Sequence, residues 1–184
     1  RGARKQKSSF SPAAIQLMAP VSIDYYTKEK SGLNQLKELR LNYFWESIPQ
    51  QFPKRAIGIF ICEVTRKSIE KFQPNPEIFQ LLKNTIQQLD LLEQYQNLHL
   101  WYLVQLANEM GYGMQLESDL ELPYFDLMEG KLTHFAPIHG HFIEGNILNS
   151  LINLNNLTIA NIAQLKLINQ NRRLLLETLI EYHR

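Results

Sequence analysis

The sequence predicts an α+β fold in which the last strands of a small β-barrel lead into a predominantly α-helical domain interrupted by a short β-hairpin. Three observations point there. Residues 15–41 largely alternate apolar and polar side chains, whereas apolar positions after Pro49 and Pro53 recur at helical spacing. Between Gly111 and Gly145 the helical pattern breaks into short pieces. Two domains are expected, residues 1–41 and residues 42–184, with the hairpin near 124–135 inside the second.

Each element follows from local chemistry. The opening RGARKQKSS has little periodicity and reads as a basic loop. Residues 15–26 place Val21, Ile23 and Tyr25 on one face of a half-buried strand. Residues 28–32 (KEKSG) form a turn, and residues 33–41 fit a returning strand, although Leu33 and Leu36 also suit a helix. Two or three strands are marginal alone, so the rest of a barrel is expected upstream. In the helical part, residues 54–72 space Ile57, Phe60, Ile61 and Val64 along one stripe. Asn75-Pro76-Glu77 is a start signal, with a capping side chain, proline at the first helical position and an acid in the first turn. The helix that follows carries Ile78, Phe79, Leu82, Ile86, Leu89 and Leu92. A helix from about Asn97 to Met110, stopped by Gly111, is apolar nearly all round and belongs at the centre of a bundle. Residues 124–135 read as a hairpin turning at Glu129-Gly130. Helices resume over 146–154, 158–165 and 170–183, with Asn169 as a cap for the last.

Composition sets the class. The chain has 184 residues, 45% hydrophobic and 20% charged, which suits one globular core with a small annex. Its apolar runs are too short to cross a bilayer, and the first nine residues lack a signal-peptide pattern. A lone cysteine, Cys62, excludes an internal disulfide framework and a cysteine-cluster zinc site. A cytosolic protein is expected. Because the chain opens on Arg1 and apolar patterning still runs at Leu179, Ile180 and Tyr182, it reads as a fragment. Charge is uneven: residues 1–40 hold eight basic and three acidic groups (net +5), while the remaining 144 hold eleven and fifteen (net −4). That asymmetry points one end at a polyanion.

Arg1, Arg4, Lys5 and Lys7, beside Ser8 and Ser9, supply the closely spaced cations that backbone phosphates require. A solvated terminal tail is the competing reading. Tyr25, Tyr26, Tyr43, Phe44 and Trp45 are candidate stacking faces for unpaired bases; core packing competes, and alternation leaves at most one of Tyr25 and Tyr26 outward. His134, His139 and His141, with Asp126, Glu129 and Glu144 nearby, lack the spacings of known metal enzymes. Phosphate-loop, dinucleotide and nucleophile-elbow motifs are missing, and Cys62 on an apolar helix face reads as packing. Lys54, Arg55, Arg66 and Lys67 flank the first helix, Arg172 and Arg173 the last. They are possible grips for DNA or an acidic partner, against the alternative of solvated faces.

In chain order, RGARKQKSS with the strand at about 17–26, KELRLNYFWES (37–47) with Ile48-Pro49, Glu63-Val64, PNPEIF (74–79), NLHL (97–100), GYG (111–113) and NRRLLLETLIEYH (171–183) resemble RecO proteins of the Bacteroidetes type. The resemblance spans nearly the whole chain as scattered short motifs whose order and spacing are specific together. It implies an OB-fold for the front strands. It also implies a non-enzymatic recombination mediator that binds single- and double-stranded DNA, anneals complementary strands, and with RecR loads RecA onto DNA coated by single-strand-binding protein. Arg1, Arg4, Lys5 and Lys7 would belong to its DNA-binding surface. Many RecO proteins carry a four-cysteine zinc module after the G-Y-G region; this chain has no cysteine there, so neither zinc nor another cofactor is expected. The acidic C-terminal tail of single-strand-binding protein would dock in the helical domain, with Arg55 and Arg66 as candidate contacts. The alternative function is a helical interaction module without DNA contact of its own, and a metal-dependent hydrolase at the histidines is the third.

Overall fold

A computed structural model describes residues 16, 18–27, 34–70, 73–117 and 121–183. The basic run 1–9 and the turn at 28–32 lie outside the described residues. The chain divides into two compact units, residues 1–59 and 60–184. The fold is mixed α and β, with two small antiparallel sheets among the described residues.

In the first unit, the alternating residues form strands β1 (Val21–Tyr26) and β2 (Gln35–Leu41), paired antiparallel from Val21↔Leu41 to Tyr26↔Gln35, with a bulge between Asp24 and Tyr25. Arg40 fixes one end of the ribbon. Its Nε and Nη2 donate to Glu38 at 2.7 and 2.9 Å, and Nη2 lies 3.6 Å from Asp24. Alternation predicts Ile23 and Tyr25 inward and one tyrosine hidden. Instead Ile23 (52% exposed), Tyr25 (56%) and Tyr26 (55%) all face solvent, because neither face of a two-stranded ribbon is covered among the described residues. Past β2, Trp45 Nε1 donates to the Met18 carbonyl at 2.8 Å. Lys54, expected on a solvated face, is only 3% exposed, and its ammonium donates to Ser47 Oγ at 2.7 Å.

Helix α1 (Phe52–Ser68) begins two residues earlier than its apolar pattern suggests, since Pro53 is tolerated in a first helical turn. Beyond Ile59 it belongs to the second unit, where Ile61 and Thr65 are buried. Thr65 Oγ1 donates to the Ile61 carbonyl at 2.7 Å, so the Tyr102 hydroxyl is the donor in the 2.5 Å bond between them. Burial pushes the Tyr102 phenol up to about 12, which keeps that donor protonated. Half-buried Cys62 likewise has its thiol pushed up by burial. Helix α2 (Pro76–Leu91) starts where its signal lies, with Asn75 Oδ1 accepting from the Ile78 N–H at 3.0 Å.

The all-round apolar segment becomes α3 (Leu98–Glu109), with eight of its twelve residues buried. Complete burial of each Leu or Val there contributes about 1.5–3 kcal/mol. Helices α2, α4 (Gly145–Asn155) and α5 (Asn169–Tyr182) and a 3₁₀ helix (Ile159–Gln164) surround it. The 3₁₀ helix replaces an expected α-helix: six residues are closed by Asn161 N→Thr158 O and Leu165 N→Ile162 O bonds, and Asn161 Oδ1 accepts from the Thr158 N–H at 2.7 Å. Ile168 rather than Asn169 caps α5. The Asn169 side-chain oxygen Oδ1 is claimed by Arg172 Nη1 at 2.6 Å, and a charge-assisted bond outcompetes a backbone N–H.

The hairpin is present as β3 (Tyr124–Asp126) and β4 (Lys131–Thr133), and β5 (Phe142–Glu144) adds a third strand in the order β4-β3-β5. A three-residue strand carries too little pattern to announce itself. The aromatic end of α5 packs over this sheet's turn. Tyr182 donates to the Tyr112 carbonyl at 2.6 Å, His183 Nε2 donates to the Leu103 carbonyl at 2.9 Å, and His183 Nδ1 accepts from the Tyr112 hydroxyl at 2.7 Å. Gly130 lies beneath Tyr182 with φ +67°, and a Cβ there would stand 2.6 Å from the Tyr182 hydroxyl.

Gly140 shares that backbone hand at φ +80° but has open space around its α-carbon. Gly140→Ala should therefore cost only the left-handed strain, about 1–2 kcal/mol. Gly130→Ala should cost at least about 1 kcal/mol more, because the Tyr182 hydroxyl must move off its acceptor. Urea unfolding of both variants checks this; equal losses would contradict the packing of α5 on the turn.

Candidate functional site

At the N-terminus of α3, side chains from two segments converge. Asn97 Nδ2 donates to the Leu165 carbonyl at 2.7 Å, and Asn97 Oδ1 accepts from Arg172 Nε at 3.0 Å. Arg172 also donates from Nη1 to Asn169 Oδ1 and from Nη2 to the Leu167 carbonyl at 2.9 Å. Nearby, Lys166 Nζ donates to Gln94 Oε1 at 3.0 Å. The result is a hollow of about 230 Å³ lined by Gln94, Gln96, Asn97, Ala163, Leu165, Lys166, Leu167, Ile168 and Arg172. No carboxylate, hydroxyl or thiol side chain lines it. Three of the five guanidinium N–H groups are fixed by neutral acceptors, so the positive charge is positioned without being neutralised. Such a hollow can hold a carboxylate borne on an apolar chain, with Ile168 exposed beside it.

That charge is felt nearby. His99 is largely buried, its Nδ1 has no partner, and its ring stands edge-on to Phe60 at 6.0 Å. Burial first, and the Arg172 guanidinium second, hold it down at about 4.

The other residues singled out by sequence go elsewhere. Arg1, Arg4, Lys5 and Lys7 lie outside the described residues. Arg55 turns back to donate to the Pro49 carbonyl at 2.6 Å, its guanidinium 5.9 Å from the Phe52 ring. Arg66 and Lys67 share Glu63, at 3.9 and 3.2 Å, and Arg173 pairs with Glu177 at 2.9 Å. Arg172 alone of these joins the hollow. Sequence reasoning missed Lys166 and Gln94, which carry no motif, and read Asn97 as a helix start and part of the NLHL motif, not as a partner of Arg172.

His139 and His141 stack at 5.8 Å and the His141 backbone N–H donates to His139 Nδ1 at 3.0 Å, but each ring is tied to a different carboxylate. His139 Nε2 donates to Asp126 Oδ2 at 3.1 Å and His141 Nδ1 donates to Glu181 Oε1 at 2.5 Å, while His134 packs edge-on to Phe135. Among the described residues no group of three or more His, Cys, Asp or Glu side chains is arranged to hold a metal ion. No helix among them is long and apolar enough to cross a membrane.

The family model for the recombination protein O C-terminal domain matches residues 49–184, which include every residue of the hollow. The chain belongs to the RecO family. It is 26% identical to the DNA repair protein RecO of Flavobacterium johnsoniae, over 97% of this chain and 73% of that protein. It is 29% identical to the RecO of Flavobacterium psychrophilum, over 97% of this chain and 74% of that protein. Against the RecO of Salinibacter ruber, identity is 30% over 60% of this chain and 43% of that protein.

His99 gives this RecO-family chain a defined acid response. Unfolded, the imidazole takes up a proton near its ordinary 6.5; folded, it does so only near 4. Its contribution is therefore intact above pH 6.5, falls as pH drops toward 4, and amounts to about 3 kcal/mol across that window. His99→Phe should reduce the difference in unfolding free energy between pH 7.5 and pH 4.5 by about 2–3 kcal/mol. An unchanged difference in urea titrations would show that His99 is not held neutral.

Proposed function

We propose that this chain is a non-enzymatic DNA repair and recombination mediator. It binds single- and double-stranded DNA, promotes annealing of complementary strands, and with RecR helps load RecA on DNA coated by single-strand-binding protein. The observation that carries this reading is the family match across the helical unit. In it, residues 1–41 are the closing part of an OB-fold, and Arg1, Arg4, Lys5 and Lys7 contact phosphates. Residues 42–184 form the partner-binding domain. The protein works at the nucleoid, in the cytoplasm.

Charge supports this division of labour. Residues 60–184 hold nine basic residues against fourteen acidic ones, so a polyanion is repelled from most of that unit. The hollow at Asn97 is the exception, because Arg172 and Lys166 meet apolar Leu165, Leu167 and Ile168 there. It suits the acidic, apolar C-terminal tail of single-strand-binding protein, whose carboxylates would meet the remaining guanidinium N–H groups. The same acidity favours the alternative of a helical interaction module, which differs in needing no DNA contact at its front.

Salt titration of single-stranded oligonucleotide binding by the full chain separates the two. Replacing Arg4, Lys5 and Lys7 by alanine should reduce the slope of log K against log salt by about 2. A slope the substitutions leave untouched would remove the basic run from the DNA surface. For the hollow, anisotropy of a labelled acidic tail peptide should weaken about tenfold in Lys166→Glu and severalfold in Arg172→Lys, which keeps the charge but loses the fork. Undiminished binding in both would place the tail elsewhere.

A further inference from the structure

A second hollow, of about 620 Å³, lies where the β3–β4 turn meets the C-terminal half of α5. Leu127, Met128 and Ile180 form its apolar wall, and Glu177 and Glu181, one helical turn apart, line it beside His141. We propose that this groove docks a protein partner through a basic, apolar peptide segment, one that sets a Leu- or Ile-like side chain beside Lys or Arg.

Charge complementarity selects that occupant. Glu177 and Glu181 line the groove, and neither lysine nor arginine is among its lining residues. A phosphate backbone is repelled by that surplus, whereas a cationic peptide is drawn to it. Both groove acids already hold surface partners: the Arg173 guanidinium lies on Glu177 at 2.9 Å, and the His141 ring hydrogen-bonds Glu181 at 2.5 Å. Exposed pairs of this kind contribute at most about 1 kcal/mol, so an arriving ammonium or guanidinium can displace them.

The wall is preformed. Asp126 Oδ1 accepts the Met128 and Glu129 N–H groups at 2.8 and 3.0 Å, and the Gly130 N–H donates to the Asp126 carbonyl at 2.9 Å. Docking therefore orders little backbone. Met128, 67% exposed at the tip of that fixed turn, is the unbranched, polarizable side chain that adapts to varied apolar partners. Neither DNA contact nor the Asn97–Arg172 hollow enters this inference.

Methyl-labelled methionine NMR of the full chain tests it, because the four methionines include Met128, assignable through Met128→Leu. The probes are a Leu/Lys peptide, its Leu/Glu counterpart and a single-stranded oligonucleotide. The Leu/Lys peptide should shift the Met128 methyl signal and leave Met18 and Met110 in place. Glu177→Lys with Glu181→Lys should weaken that peptide about tenfold. If the reversals disturb the circular dichroism spectrum, the Gln pair replaces them, with about threefold expected. Equal shifts from the Leu/Glu peptide, undiminished affinity in the charge variants, or a Met128 shift driven by the oligonucleotide would each overturn the proposal.

Discussion

Helix α3 has no face it can show to water. Leu98, Leu100, Leu103, Val104 and Leu106 point around the whole circumference, and Trp101, Tyr102 and Ala107 close the gaps. An amphipathic helix asks for one neighbour; this one requires cover on every side, and α2, α4, α5 and the 3₁₀ helix provide it. The polar groups brought in with it must then be answered internally. Trp101 Nε1 finds the Leu157 carbonyl at 2.8 Å, Tyr102 finds Thr65, and Asn97 finds Leu165 and Arg172. The candidate site is thus a by-product of burying α3: the latch that closes its N-terminal end also leaves a fixed cation at the surface.

That cation works under unusual local conditions. Its acceptors are an asparagine at each of two helix starts and one backbone carbonyl, none of them charged. A carboxylate partner would have cancelled the field, as Glu177 does for the adjacent Arg173. Adjacent arginines in one helix therefore serve different ends, one organising a hollow in a RecO-type helical domain, the other ornamenting a solvated face.

Much of this was legible in the residues. Asn75-Pro76-Glu77 announces α2 because capping is a local transaction between one side chain and one backbone N–H. The all-round apolarity of 98–107 announces a central helix for the same reason: burial is written in composition. What stayed hidden depends on distant partners. Strand β5 exists because β3 offers it an edge, not because Phe142–Glu144 has strong propensity. Asn169 surrenders its capping role to an arginine three residues on, and Lys54 disappears from the surface because Ser47 is there to receive it. Lys166 and Gln94, 72 residues apart, carry no signal that any spacing rule could find.

The aromatic knot at the close of α5 has a further consequence. Tyr182, His183 and Tyr112 join the final helical turn to the segment leaving α3 and to the middle of α3 itself. Peripheral pieces of a bundle ordinarily fray one at a time, each with its own small opening free energy. Here the helix end is held at several points, because the Tyr182 ring also packs against Phe125 of β3 at 6.2 Å. Releasing the last turn of α5 therefore costs contacts at α3 and β3 as well as its own helical bonds.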